Sequence, residues 1–353
     1  MKTAIIGAGA CGLMLALLLD KNNLSYDLFN KGKIGRKILA SGNGKCNISN
    51  TLFSAEYYHN NPLSKIVLAN QSYLFDLFKE LKIYTKTDSE GRMYPISESS
   101  QSVLNIFLKH VKNNIIDLEC NKISCKNDKY YLNDTFGPYD NVVIATGSNA
   151  SFKTPYNDEL IKNLYIDFIE FKPSLVGFKV NNKIKEISGV RAKCKAALYQ
   201  NNKLIHEENG EVIFKDNGIS GICVMNLSSY YNNLTDKSNS YIILDLLNGM
   251  EYDCYESVLA PKLYQYIIKN NISPAKFILN IKDTYEMEFA QVAHGGININ
   301  ELEANLMLKK HKNIFAGGEV INIDGVCGGY NLMFAFTSAI EIFKYLKNEV
   351  SNN

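Results

Sequence analysis

Glycines at positions 7, 9 and 12 have the spacing that lets a backbone close around a diphosphate. Gly7 permits a tight turn, Gly9 lets the chain approach phosphate oxygens, and Gly12 lets a following helix pack close to the strand before it. The first amides of that helix, at Ala10 and Cys11, then face the anion. A second segment can do related work. Gly35 to Asn50 contains Arg36, Lys37, Ser41, Gly42, Gly44, Lys45, Cys46 and Asn47. It is too rich in Gly, Ser and Asn for a regular element, and its N–H groups can hold phosphate or ring acceptors while Arg36 and Lys37 add positive charge. Two later groups have the same character: Ala145-Thr146-Gly147, and Gly318-Glu319 followed by Gly328-Gly329-Tyr330-Asn331-Leu332.

These residues need particular elements to carry them. Apolar residues 3–6 form a strand and 13–19 a helix, the context that gives G-x-G-x-x-G its dinucleotide meaning. Residues 25–29 are a second strand. Asn30 then stands 18 positions past Gly12, where an acid commonly grips ribose hydroxyls, with Lys31 beside it. Asn30 can accept such a hydrogen bond without the added strength of charge. Helical spacing covers 63–80 and 102–111. A strand follows at 115–118, a hairpin around Asn127-Asp128, and a buried strand at 141–144. Composition changes near Lys172-Pro173, after which short alternating strands are expected at 175–180, 191–199, 211–214 and 241–246, with helices at 257–269 and 273–279. A strand at 313–316 and a helix from Gly329 to about 347 close the chain.

The 353 residues carry Lys+Arg 38 against Asp+Glu 36, a net +2, which gives no push toward nucleic acid or an anionic membrane. No later apolar run reaches membrane-spanning length. The first run ends in Asp20-Lys21-Asn22-Asn23 with no cleavage pattern, so a secretory leader is not expected. None of the eight cysteines forms C-x-x-C. Reduced thiols and a cytoplasmic location are expected, with no metal site.

Gly35-Arg36-Lys37 through Ser41-Gly42-Asn43-Gly44-Lys45-Cys46-Asn47 resembles the G-R-K-x-x-x-S-G-x-G-R-C-N loop of the BaiN-like flavoproteins, also known as the aminoacetone oxidase family. Glu90-Gly91-Arg92-Met93-Tyr94-Pro95, Gly218-Ile219-Ser220-Gly221 and the stretch from Phe315 to Leu332 resemble further landmarks of that family. Lys45 stands where the family has Arg, Lys215-Asp216 where it has Thr-His, and Ile222 where it has Pro. The resemblance implies an α/β fold: a Rossmann-like FAD-binding domain of the two-dinucleotide-binding flavoprotein type, formed by 1–172 and 290–353, with an inserted, mainly antiparallel β domain plus helices at 173–289. It implies that Ala145-Thr146-Gly147 touches FAD where the chain returns to the nucleotide domain. Glu319 would accept from ribityl hydroxyls, and the Gly328-Gly329 turn with the helix after it would face the N1–C2=O edge of the flavin.

The function expected is that of an FAD-dependent oxidoreductase acting on a small or hydrophobic organic molecule, with NADH or NADPH as a possible transient donor. The alternative is an FAD- or NAD-binding protein without turnover. The chain has no second G-x-G-x-x-G, and Cys46 stands alone, which disfavours a disulfide reductase. Candidates for acid–base work are few: His294, Cys46 and Tyr330.

Overall fold

The computed structural model describes residues 1–351. The chain divides into two compact units, one of Met1–Asn149, Pro155–Phe171 and Gly295–Asn353, the other of Ala150–Thr154 and Lys172–His294. It passes between them at 149/150 and 154/155, and again within two strands, Phe168–Ser174 and Val292–Ile297.

The first unit is built on a five-stranded parallel sheet. Its strands are β1 (Lys2–Ile6), β2 (Ser25–Asn30), β3 (Ile115–Asp117), β4 (Asn141–Ile144) and β5 (Ile314–Ala316), in the order β5-β4-β1-β2-β3. Ala4, Ile5, Val142, Val143, Ile144 and Phe315 are fully buried. Such unbroken apolar strands suit a parallel sheet covered on both faces. Helix α1 (Ala10–Lys21) is buried from Ala10 to Leu19. It packs against the long closing helix α3 (Tyr330–Ser351), which also packs on α2 (Ser64–Glu80). Phe336 of α3 stacks on Phe107 at 5.5 Å and meets Phe78 edge-on at 5.9 Å. The α/β, Rossmann-type architecture expected from the sequence is borne out.

The second unit is a closed six-stranded antiparallel barrel in the order Phe178–Val180, Gly218–Ser220, Lys203–Lys215, Arg191–Gln200, Ser240–Asp245, Phe277–Thr284. Its core includes Phe178, Leu198, Phe214, Ile242, Phe277 and Leu279, closed over by helix Ile222–Asn232. One expectation fails here. Residues 273–279 do not form a helix: Phe277–Thr284 is a strand, paired with Ser240–Asp245. Phe277 and Leu279 point into the barrel while Ile278 and Asn280 are exposed, so a period-two pattern set by barrel closure overrides a helix-compatible composition. A second difference lies in the glycine-rich loop, where Arg36–Ala40 is a short helix and Ser41–Gly44 a turn of 3-10 type. Gly35 supplies the left-handed φ of 61° that starts it. Among the described residues no helix is long and apolar enough to cross a membrane.

Candidate functional site

The strand order reverses at β1, which lies between β2 and β4. In open parallel sheets the crevice beyond the strands' carboxyl ends at such a point is where ligands bind. Three of the segments singled out above leave the sheet there. β1 runs into Gly7, whose N–H donates to Phe29 O at 2.7 Å. β4 runs into Ala145-Thr146-Gly147, and Ala145 N donates to Ile6 O at 2.8 Å. β5 runs into Gly317-Gly318-Glu319, and Gly317 N donates to Ile144 O at 2.9 Å.

The three glycines of the first turn have different constraints. Gly7 has φ +110°, and a Cβ there would lie 2.3 Å from Ala145 O. A Cβ on Gly12 would lie 1.8 Å from Gly7 O, so helix and turn touch backbone to backbone. Gly9 is different: no atom beyond its own residue and its two chain neighbours lies within 4 Å of where its Cβ would stand. Gly9 is also the N-cap of α1, and no side chain caps the helix. Amides without a capping side chain, beside open space at a helix start, suit a phosphate anion.

Around this turn the polar residues form a connected set. Asn30 Oδ1 accepts from Ala8 N at 2.9 Å, and its Nδ2 donates to Gly32 O at 2.9 Å, so the amide ties the end of β2 to the glycine turn. Lys31 lies outside it, 3.5 Å from Asp117 on the surface. Lys37 Nζ is 3.2 Å from Glu319 Oε1, and these side chains are only 21% and 17% exposed. Burial pulls the Lys37 ammonium below the ordinary lysine range, and Glu319 partly restores it. Arg36 donates to Ser148 O at 3.3 Å and is also attracted by Glu319. Two cations therefore flank one carboxylate. A Cβ added to Gly147 would lie 4.0 Å from the Oε2 of the same carboxylate.

The two ends of the chain meet in this unit. Cβ atoms on Gly317 and Gly318 would lie 2.6 Å from Cys11 Sγ and 3.1 Å from Cys11 Cβ. Cys11 is thus the small residue on which the returning chain rests. Gly318 N donates to Ser338 Oγ at 2.9 Å. The glycine-rich loop meets the second corner directly. The hydrogen-bond network orients the Asn47 amide so that its oxygen accepts from Gly329 N at 3.0 Å and its nitrogen donates to Ser49 O at 3.0 Å. Asn50 Nδ2 donates to Gly328 O at 3.0 Å. Gly329, at φ +93°, lies so close that a Cβ would be 2.4 Å from Ser49 O. Asn331 bonds both N–H and C=O of Gly325 at 2.8 Å, holding the turn in shape. Asn50 closes the glycine-rich loop already singled out, while Ser338 and Tyr58, whose hydroxyl donates to Tyr330 O at 2.8 Å, complete the arrangement and escaped the sequence reading. They sit in ordinary-looking segments, and only the fold brings them to the glycines.

The acid–base candidates fare unequally. Cys46 is fully buried, and burial pushes its thiol up to about 11. Ser41 accompanies it, with Cys46 N bonded to Ser41 O at 3.0 Å. Tyr330 is buried with its ring 4.6 Å from that of Tyr57, and burial raises its hydroxyl well above the ordinary tyrosine range. Both stay protonated at neutral pH. His294 is half-buried in strand Val292–Ile297 and belongs to the second unit. Lys45 pairs with Glu98 at 2.8 Å on the surface. Among the described residues no group of three His, Cys, Asp or Glu could hold a metal ion. Iodoacetamide at pH 8 is expected to label the exposed Cys125 and Cys254 in the folded protein and to leave Cys11 and Cys46 unmodified, as read by peptide mass. Rapid native labelling of Cys46 would show that its thiol is neither buried nor raised.

Comparison with known proteins agrees with this architecture. The chain is similar to a 3-dehydro-bile acid delta(4,6)-reductase of Clostridium scindens, with 28% identity over 96% of this chain and 97% of that protein. It is similar to a ribosomal RNA dihydrouridine synthase of Escherichia coli, with 24% identity over 95% of each chain. Among solved structures, the open form of a flavocytochrome c3 fumarate reductase aligns with a TM-score of 0.48 and 13% identity, covering 98% of this chain and 78% of that one. The model of the HI0933-like protein Rossmann domain matches residues 1–344, which bears out the resemblance read from the motifs, and the chain belongs to that family.

Proposed function

We propose that the chain is an FAD-dependent oxidoreductase that transfers hydride between the flavin and a small, hydrophobic, conjugated carbonyl compound. One observation carries this reading. Two glycine-rich corners from opposite ends of the sequence, at the carboxyl ends of one parallel sheet, are joined through Lys37–Glu319 and Asn47–Gly329, and Gly9 of the first corner faces open space. The residues fit the cofactor. The Gly7–Gly12 turn with Arg36 and Lys37 would take the diphosphate, Glu319 the ribityl hydroxyls, and Gly328-Gly329-Tyr330 the ring edge, with Ala145-Thr146-Gly147 beneath. Bound flavin supplies hydride transfer at N5. The protein's own part is position, charge and exclusion of water. A helix starting at Tyr330 favours negative charge at its N-terminus, and buried, protonated Cys46 and Tyr330 add none there.

The substrate class follows from what the relatives' names share. A delta(4,6)-reductase and a dihydrouridine synthase both denote saturation of a ring C=C bond conjugated to a carbonyl. A small molecule is favoured over RNA because two of the barrel's outer cations are neutralised across strands. Lys195 pairs with Glu207 at 2.7 Å and Arg191 with Glu211 at 3.0 Å. Nucleic-acid surfaces leave such cations unpaired for phosphate. NADH or NADPH would serve as a transient donor, and the cytoplasm as the compartment.

The purified protein is expected to be yellow and to release FAD on denaturation. Under anaerobic conditions NADH or NADPH should bleach the flavin, and a cyclic enone should restore its colour. Recolouring by a uridine-containing ribosomal RNA fragment and not by any enone would overturn the substrate class. A protein that binds FAD yet is bleached by no donor would favour a binder without turnover.

A further inference from the structure

We infer that Cys194 and Cys223, in the barrel unit, form an oxidisable dithiol that closes to a disulfide in the presence of a peroxide. Cys194 lies on strand Arg191–Gln200, opposite Gly210 on Lys203–Lys215. Cys223 is the second residue of helix Ile222–Asn232. The Cβ that Gly210 lacks would lie 3.0 Å from Cys223 Cβ and 3.5 Å from its Sγ. Cys223 therefore fills the space that the glycine leaves beside its cross-strand partner Cys194. Both side chains are fully buried in the barrel core, and the two thiols are neighbours close enough to bias one another's protonation. Cys223 Sγ also donates to Glu211 O at 3.4 Å.

The roles of the two sulfurs differ. Cys223 lies in the first turn of helix Ile222–Asn232, where backbone amides favour its thiolate, while the neighbouring Cys223 thiol and burial push Cys194 up. Cys223 is thus the attacking sulfur and Cys194 the resolving one. Cys223 thiolate attacks one peroxide oxygen, the O–O bond breaks, and the departing hydroxide takes a proton to become water, leaving a sulfenic acid. Cys194 then attacks that sulfur, an S–S bond forms, the S–O bond breaks, and a second water leaves with the Cys194 proton. Two thiols lose two electrons and one peroxide becomes two waters. The bond would fasten the start of the helix to the barrel wall. The exposed Cys125 and Cys254 serve as internal controls for nonspecific oxidation.

The test uses the full-length reduced protein with whatever cofactor it carries, exposed to roughly ten equivalents of hydrogen peroxide, then denatured, alkylated and digested. A peptide pair linking Cys194 to Cys223, about 2 Da lighter than the two reduced peptides and released by dithiothreitol, is the expected result. The thermal unfolding midpoint should rise on oxidation and return on reduction. Cys194→Ser should leave a sulfenic acid on Cys223 that dimedone traps, and the wild-type measurement stands if that variant does not fold. Recovery of both residues in alkylated form after Cys125 and Cys254 have oxidised would overturn the inference. So would Cys223 ending as a sulfinic acid with Cys194 still free.

Discussion

Gly9→Ala is expected to give a folded, nearly colourless protein whose FAD affinity has dropped about 100-fold, or about 2.7 kcal/mol. The reason is geometric. Gly9 has φ −88°, a conformation open to alanine, and no atom beyond its chain neighbours lies within 4 Å of the new methyl group. Apo stability should change by no more than about 1 kcal/mol, the usual range for an alanine at a helix N-cap. The methyl group would instead stand where the diphosphate must approach the backbone. Gly12→Ala should behave oppositely. Its Cβ would be driven to 1.8 Å from Gly7 O, so α1 must move off β1 at a cost of about 3 kcal/mol or more. Urea unfolding of the apo proteins, paired with flavin binding followed by fluorescence, separates the two. Normal FAD binding by Gly9→Ala would remove the diphosphate from the first turn and with it the proposed cofactor site.

That contrast also marks how far the sequence could be read. The spacing of Gly7, Gly9 and Gly12 identified the turn because strand, glycines and helix are adjacent in the chain, and local order determines local contacts. The corner at Gly328-Gly329 was legible for the same reason, as a glycine pair before a long amphipathic helix. What joins the corners was not legible. The Lys37–Glu319 pair spans 282 positions and the Asn50–Gly328 bond 278. No periodicity connects residues that far apart, and only the return of β5 beside β4 brings them together. Asn30 teaches a related lesson. Its position was readable as that of a ribose-binding acid, whereas its amide is engaged with Ala8 N and Gly32 O. An amide can bridge a donor and an acceptor of the backbone at once, which a carboxylate cannot. The misread segment 273–279 failed because Ile, Leu, Lys and Ala serve helix and barrel strand alike, and closure of the barrel decides between them.

The connection between the corners yields the second large effect. Lys37→Met is expected to weaken FAD binding by about 2–3 kcal/mol, roughly 30- to 150-fold, because it removes one of two cations beside the diphosphate position and leaves Glu319 facing an anion. The apo protein should also lose about 2 kcal/mol, less than for a fully enclosed pair since both side chains keep some contact with water. Glu319→Gln should act in the other direction on the diphosphate alone. It removes the negative charge while keeping an oxygen that can accept from Lys37, so ADP, which has a diphosphate but no ribityl chain, should bind several-fold more tightly. FAD should gain less or lose, because the ribityl hydroxyls would lose a charged acceptor. The pH dependence follows from burial, which holds the Lys37 pKa below the ordinary lysine value of 10.5. Between the folded and ordinary values the unfolded chain binds more protons, so apo stability rises with pH across that window. Anion binding runs the opposite way, because it needs the protonated ammonium and must fade as pH climbs through the same window. Calorimetric titration of ADP and FAD from neutral to alkaline pH on the wild type and both variants distinguishes these effects. A fading that persists unchanged in Lys37→Met would show that Lys37 is not the group whose titration weakens anion binding.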